Sequence, residues 1–182
     1  MKCEMEAEAG RFGSGRMRYA FLFFFIFLIS AADVAAQPGI TTFILVRHAE
    51  KANDGSKDPE LSEAGKHRAE ALATLLSKST VAAIYSTAFK RTRQTMMPLA
   101  QQKVMAVMDY DPSAIASSIE KMLTAHTGKT IVVCGHSNTI PAMLNYLTGT
   151  NDYKNFDDGD YGNLVIISVT SVGHASVTWL TY

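Results

Sequence analysis

Two apolar runs each end at a histidine, and this limits the chain more than any other feature. Phe43-Ile44-Leu45-Val46 leads into Arg47-His48-Ala49-Glu50, and Ile131-Val132-Val133-Cys134 leads into Gly135-His136-Ser137-Asn138. Runs of this length without polar interruption read as buried strands. Helical spacing of apolar residues lies between them. Ala64, Ala69, Leu72, Leu75 and Leu76 predict a helix to about Lys78 with Ser62 as its N-cap. A strand follows at Val81 to Tyr85, then a helix from Phe89 to Gln101, a strand at Val104 to Val107 and a helix from Pro112 to His126. The strand Thr130 to Cys134 and a helix from Thr139 to Leu147 complete the alternation. Such an order specifies an α/β three-layer sandwich with a mainly parallel central sheet, whose ligands bind beyond the carboxyl ends of the strands. Both histidines fall at such ends.

The tail breaks the pattern. Asn163 to Thr170 and Ala175 to Tyr182 are two β-rich runs around Ser171-Val172-Gly173-His174, which predicts a hairpin and an antiparallel edge. Asn151 to Gly162, and Lys51 to Glu60 with Gly55 and Pro59, read as loops.

The first 36 residues differ in kind. Arg16 and Arg18 precede a solid apolar block from Tyr19 to Ile29, and small residues ending in Val34-Ala35-Ala36 precede Gln37. This is a signal-peptide layout, with Met17 a possible later start, and it predicts an exported protein, periplasmic or secreted. The alternative is an uncleaved N-terminal anchor, against which the apolar block is short of the roughly 20 residues of a membrane span. No stable membrane association is expected once it is cleaved. Residues 37–182 then suffice for one domain and are too few for two.

The chain carries 17 Lys plus Arg against 17 Asp plus Glu, so no global field favours nucleic acid or anionic lipid. Any anion site must be local. Of the two cysteines, Cys3 lies ahead of the leader and Cys134 ends a buried strand, so no internal disulfide is expected. The sequence leaves the oligomeric state open.

An imidazole beside a fixed guanidinium is a fit nucleophile for phosphorus, and a second imidazole can hold phosphoryl oxygens. Arg47 and His48 supply the first pair and His136 the second imidazole. The segment Tyr85-Ser86-Thr87-Ala88-Phe89-Lys90-Arg91-Thr92-Arg93-Gln94-Thr95 adds Arg91 at a strand-to-helix turn. Lys90 and Arg93 read as surface charge. These three segments, in this order, resemble those of the histidine phosphatase superfamily, whose hallmark is an Arg-His-Gly motif. Ala49 stands here in place of the glycine, a mild departure unless the position needs positive φ. The resemblance covers residues 41–169 in element order and implies a phosphoglycerate mutase-like fold. It also implies that His48 is transiently phosphorylated while Arg47, Arg91 and His136 bind the transferring group, and that no metal or other cofactor is required. Each charge pair at about 4 Å is then worth roughly 4 kcal/mol at an effective dielectric of about 20, before desolvation.

Family members take the leaving-group proton from a carboxyl after the third strand. Asp109-Tyr110-Asp111 occupies that region, and Asp111 is the preferred donor, with helix capping as its alternative and Asp109 as the rival acid. Asn53, Ser137 and Asn138 are candidate substrate contacts, the last beside helix amides that favour an anion. Glu50 either orients the motif or is simply solvated. The reading is a metal-independent phosphatase acting on small phosphate monoesters. The alternatives are a protein phosphohistidine phosphatase and a phosphate- or protein-binding module of the same fold. An α/β-hydrolase elbow at Gly135-His136-Ser137 fails because too little chain follows Ser137, and it leaves Arg47, His48 and Arg91 unexplained. A zinc deaminase reading of His48-Ala49-Glu50 lacks its Pro-Cys-x-x-Cys partner.

Overall fold

The computed structural model describes residues 39–182. The leader and its cleavage site fall outside the described residues. The elements are β1 (Thr41–Arg47), α1 (Glu63–Leu75), β2 (Ala83–Ser86), α2 (Lys90–Lys103), β3 (Val107–Asp109), α3 (Ile115–Ala125), β4 (Thr130–Gly135), α4 (Thr139–Thr148), β5 (Asn163–Ser171) and β6 (His174–Thr181). They form one sheet in the order β3-β2-β4-β1-β5-β6. The first four strands run parallel, and β5 and β6 pair antiparallel at the other side.

Side-chain alternation along β1 builds both cores. Phe43 and Leu45 join Ile119 and Met122 of α3 and Ile140, Met143, Leu144 and Leu147 of α4. On the opposite face, Ile44 and Val46 join Leu72 and Ala73 of α1 and Met96, Leu99 and Ala100 of α2. The result is the three-layer sandwich, with β1 covered on both faces as its apolar run requires. Each fully buried Leu, Ile, Phe or Met contributes roughly 1.5–3 kcal/mol of transfer free energy, so this central pair of layers dominates stability. Among the described residues, no helix is long and apolar enough to cross a membrane.

Three local expectations shift. The third strand starts at Val107 rather than Val104, because Val104 is the left-handed C-cap of α2 (φ 54°) and is 93% exposed. The third helix, α3, begins at Ile115 rather than Pro112, since Asp111 first folds a turn onto Ser113. Leu75 lies on the exposed side of α1, whose buried positions are Gly65, Ala69, Leu72 and Ala73. Ser62 does cap α1, its Oγ accepting from the Gly65 amide at 3.2 Å.

Candidate active site

Strand register assembles the site. β1 and β4 pair Arg47 with Gly135, so the next residue on each strand is a histidine. Ser86 pairs with Cys134, which brings Thr87 alongside. The amide of His48 donates to Gly135 O at 2.9 Å, extending the ladder one step past the strand ends. The rings of His48 and His136 stand 5.4 Å apart, edge to face.

The protonation pattern follows from partners. His48 Nδ1 lies 2.8 Å from the carbonyl of Ala49, which can only accept, so Nδ1 carries the proton and Nε2 keeps its lone pair. His136 Nδ1 lies 3.4 Å from Arg91 NH2, which can only donate, while its Nε2 lies 2.9 Å from Thr87 Oγ1. The His136 proton therefore sits on Nε2. It opens a relay in which Thr87 Oγ1 meets Thr92 Oγ1 at 2.9 Å and Thr92 donates to Phe89 O at 2.8 Å.

Burial pushes the His48 pKa down to about 4; the Ala49 carbonyl opposes this, and the charges of Arg91, His136 and Arg47 add to it. Burial, then Arg91 and Arg47, likewise bring His136 to about 4. Both rings are neutral near pH 7.

The cations are held differently. Arg91 lies over the Phe89 ring at 4.4 Å and pairs with Asp58 at 3.6 Å, while the same carboxylate accepts from the Lys90 amide at 3.1 Å. Arg47, only 4% exposed, donates from NH1 to Asp157 O at 2.6 Å and Asp160 O at 3.1 Å and stacks on the Tyr161 ring at 4.3 Å. Its Nε is buried and has no hydrogen-bond partner among the described residues. Tyr161 also stands 6.0 Å from the His48 ring, so the segment before β5 forms a wall of the site.

The structure thus brings together His48, His136, Arg91 and Arg47. It does not bring Asp111 to them. The Asp111 carboxylate is exposed and accepts from the Ser113 amide at 2.8 Å and Ser113 Oγ at 2.6 Å, closing a local turn; it does not cap α3, whose N-cap is Ala114. Asp109 pairs with Arg93 on the surface. Asn53 and Asn138 are exposed and Ser137 is half-buried, and none is tied into the histidine network. Ser137 contributes its carbonyl, which accepts from the Phe156 amide at 3.0 Å.

Glu50 is not simply solvated: its carboxylate is gripped by Arg68 of α1, and that guanidinium, against the opposing effect of burial, holds its pKa below the usual range. Ala49 needs no glycine. It is fully buried without positive φ, and its amide donates to Thr95 Oγ1 at 3.0 Å. Thr87, Thr95, Tyr161 and Arg68 were not identified from the sequence, although Thr87 and Thr95 flank Arg91 within the segment that was.

Comparison with known proteins bears on the identity of this arrangement. Residues 43–112 match the Histidine phosphatase superfamily (branch 1). Over 74 residues the chain is 42% identical to Phosphoserine phosphatase 1 of Hydrogenobacter thermophilus, a match spanning 37% of this chain and 35% of that protein. The chain thus matches only about a third of the length of this curated relative. The fold matches a mycobacterial glucosyl-3-phosphoglycerate phosphatase with a TM-score of 0.63 at 16% identity, covering 78% of this chain and 99% of the other. It also matches a phosphohistidine phosphatase SixA from Agrobacterium tumefaciens with a TM-score of 0.60 at 22% identity, covering 78% and 98%. The motif segment is thus similar in sequence to the histidine phosphatase superfamily (branch 1), and the sandwich has the fold of these solved phosphatases.

Proposed function

We propose that this protein is a metal-independent phosphatase that hydrolyses small phosphate monoesters through a phosphohistidine on His48. The observation that carries the reading is the His48 ring itself, neutral, with Nε2 unprotonated, between a second imidazole and two guanidinium groups. The Nε2 lone pair attacks phosphorus, and the ester P–O bond breaks with its electron pair leaving on oxygen, which takes up a proton. Water then attacks phosphorus, the N–P bond breaks, and phosphate and neutral His48 are released. Arg91 and the unpartnered Nε–H of Arg47 balance the phosphoryl charge, which spreads over three oxygens in the transition state. An arriving dianion favours protonation of His136 at Nδ1, converting it into a further donor.

A denaturing quench at alkaline pH with labelled substrate tests this. The wild type yields an acid-labile phosphoenzyme and His48→Ala does not; normal turnover by His48→Ala refutes the reading. The similarity to a phosphoserine phosphatase supports a small phosphorylated substrate, and the leader layout supports export.

A second reading is favoured by one placement. Asp109 and Asp111 both spend their carboxylates outside the cluster. Substrates whose leaving group needs little proton assistance then turn over best, among them phosphohistidine on a protein. Comparing an aryl phosphate, an alkyl phosphate and a phosphoramidate separates the two.

A further inference from the structure

Arg68 spends all three guanidinium nitrogens on groups that flank the site. Its Nε donates to Glu50 Oε1 and Oε2 at 2.9 and 3.0 Å, and NH2 donates to Oε1 at 2.6 Å. The remaining NH1 donates to the main-chain oxygen of Tyr182 at 2.7 Å. The Arg68 and Glu50 side chains are only about a quarter exposed, which sets this fork apart from an ordinary surface pair.

Each end of the fork reaches a different wall. Glu50 directly follows Ala49, whose carbonyl holds the His48 Nδ1 proton. Glu50 is also pinned through its own carbonyl, which accepts from the Ser62 amide at 2.9 Å. On the other side, the Tyr182 amide donates to Gly162 O at 3.1 Å. Gly162 adjoins Tyr161, the residue on which Arg47 stacks and which faces His48. The approach is close, since a Cβ on Gly162 would lie 3.2 Å from Tyr182 O and 3.3 Å from Arg68 NH1.

We propose that Arg68 is a positioning residue that clamps the His48 loop to the Tyr161 wall and thereby holds His48 in the tautomer with a free Nε2. The inference rests on His48 being the nucleophile. A histidine side chain in water prefers its proton on Nε2, so the reactive tautomer here depends on the Ala49 carbonyl staying in place. Misplacing such a group by about 1 Å costs on the order of 100-fold in rate.

The experiment is long-range ¹⁵N–¹H NMR of the His48 ring, assigned by loss of its signals in His48→Gln, on the wild type, Arg68→Met and Arg68→Lys. Steady-state kinetics on an aryl phosphate accompany it. The wild type shows Nδ1–H. Arg68→Met shows a substantial Nε2–H population and a kcat lowered about 10- to 100-fold with KM changed less than about threefold. Arg68→Lys, which keeps the charge without the fork, does not restore the wild-type tautomer. If Arg68→Met does not fold, Glu50→Gln, which keeps the shape of the pair, is read in the same way. A folded variant with the wild-type tautomer overturns the proposal, whatever its rate. Failure of the phosphatase reading is a separate result: a wild type that neither turns over nor forms a phosphoenzyme while its tautomer is as stated.

Discussion

On the proposed mechanism His48 attacks as the neutral ring, and its burial should keep it neutral far into acid. His48 has a pKa of about 4 against an ordinary 6.5. At 1.36 kcal/mol per pH unit this corresponds to about 3 kcal/mol between the two protonation states. Burial is the largest contributor, with Arg91 among the smaller ones, so Arg91→Met raises the value without returning it to 6.5. The measurement is an NMR titration of His48 from pH 3 to pH 8, alongside kcat/KM corrected for the substrate's second ionisation near about 6. The acid limb of corrected kcat/KM reports the free enzyme and should lie near about 4, with His136 titrating in the same range. Stability moves with it. The folded pKa lies below the unfolded one, so the unfolded chain binds more protons between them. The contribution is present above pH 6.5 and is lost as pH falls through about 4. Unfolding free energy should therefore drop over that window, and the drop should shrink in His48→Gln. A His48 that titrates at 6.5 in the folded protein would refute the electrostatic account of the site.

Gly65→Ala places a Cβ 2.2 Å from Glu50 O and 3.0 Å from Glu50 N, both backbone atoms, so α1 must lift off the His48 loop; chemical denaturation should show a loss of about 1–3 kcal/mol, and kcat should fall. Thr87→Val removes the acceptor of the His136 Nε2 proton, and inhibition by inorganic phosphate should weaken about tenfold, as for a polar group left unsatisfied. Asp111→Ala should change kcat/KM for aryl and alkyl phosphates by the same factor, because its carboxylate serves Ser113; a selective loss with the alkyl ester would restore it as the proton donor. Arg91→Met should weaken phosphate inhibition far more than Arg93→Met, whose guanidinium is on the surface with Asp109.

What could be read from the sequence was what short-range pattern encodes. The unbroken apolar runs at Phe43 and Ile131 specify buried strands because no polar backbone partner or side chain interrupts them, and the helical spacing after Ser62 specifies α1 because period and cap agree. Arg47, His48 and His136 could be chosen because each sits where a strand ends, and Arg91 because it opens the helix that follows β2; strand ends in such sheets face ligands. The tertiary structure decided the rest. Register between β1 and β4 made the two histidines neighbours, and no local signal carries register. Asp111 looked like an acid because it follows the third strand, yet Ser113 two residues on was the nearer partner. Tyr161, Thr87 and the Arg68 fork lie 113, 39 and 20 residues from His48, close only once the chain has folded. Composition and spacing thus determined which residues are candidates for phosphoryl chemistry. Long-range packing decided what surrounds the ring: the Ala49 carbonyl at His48 Nδ1 lies in a loop that Arg68 ties through Glu50.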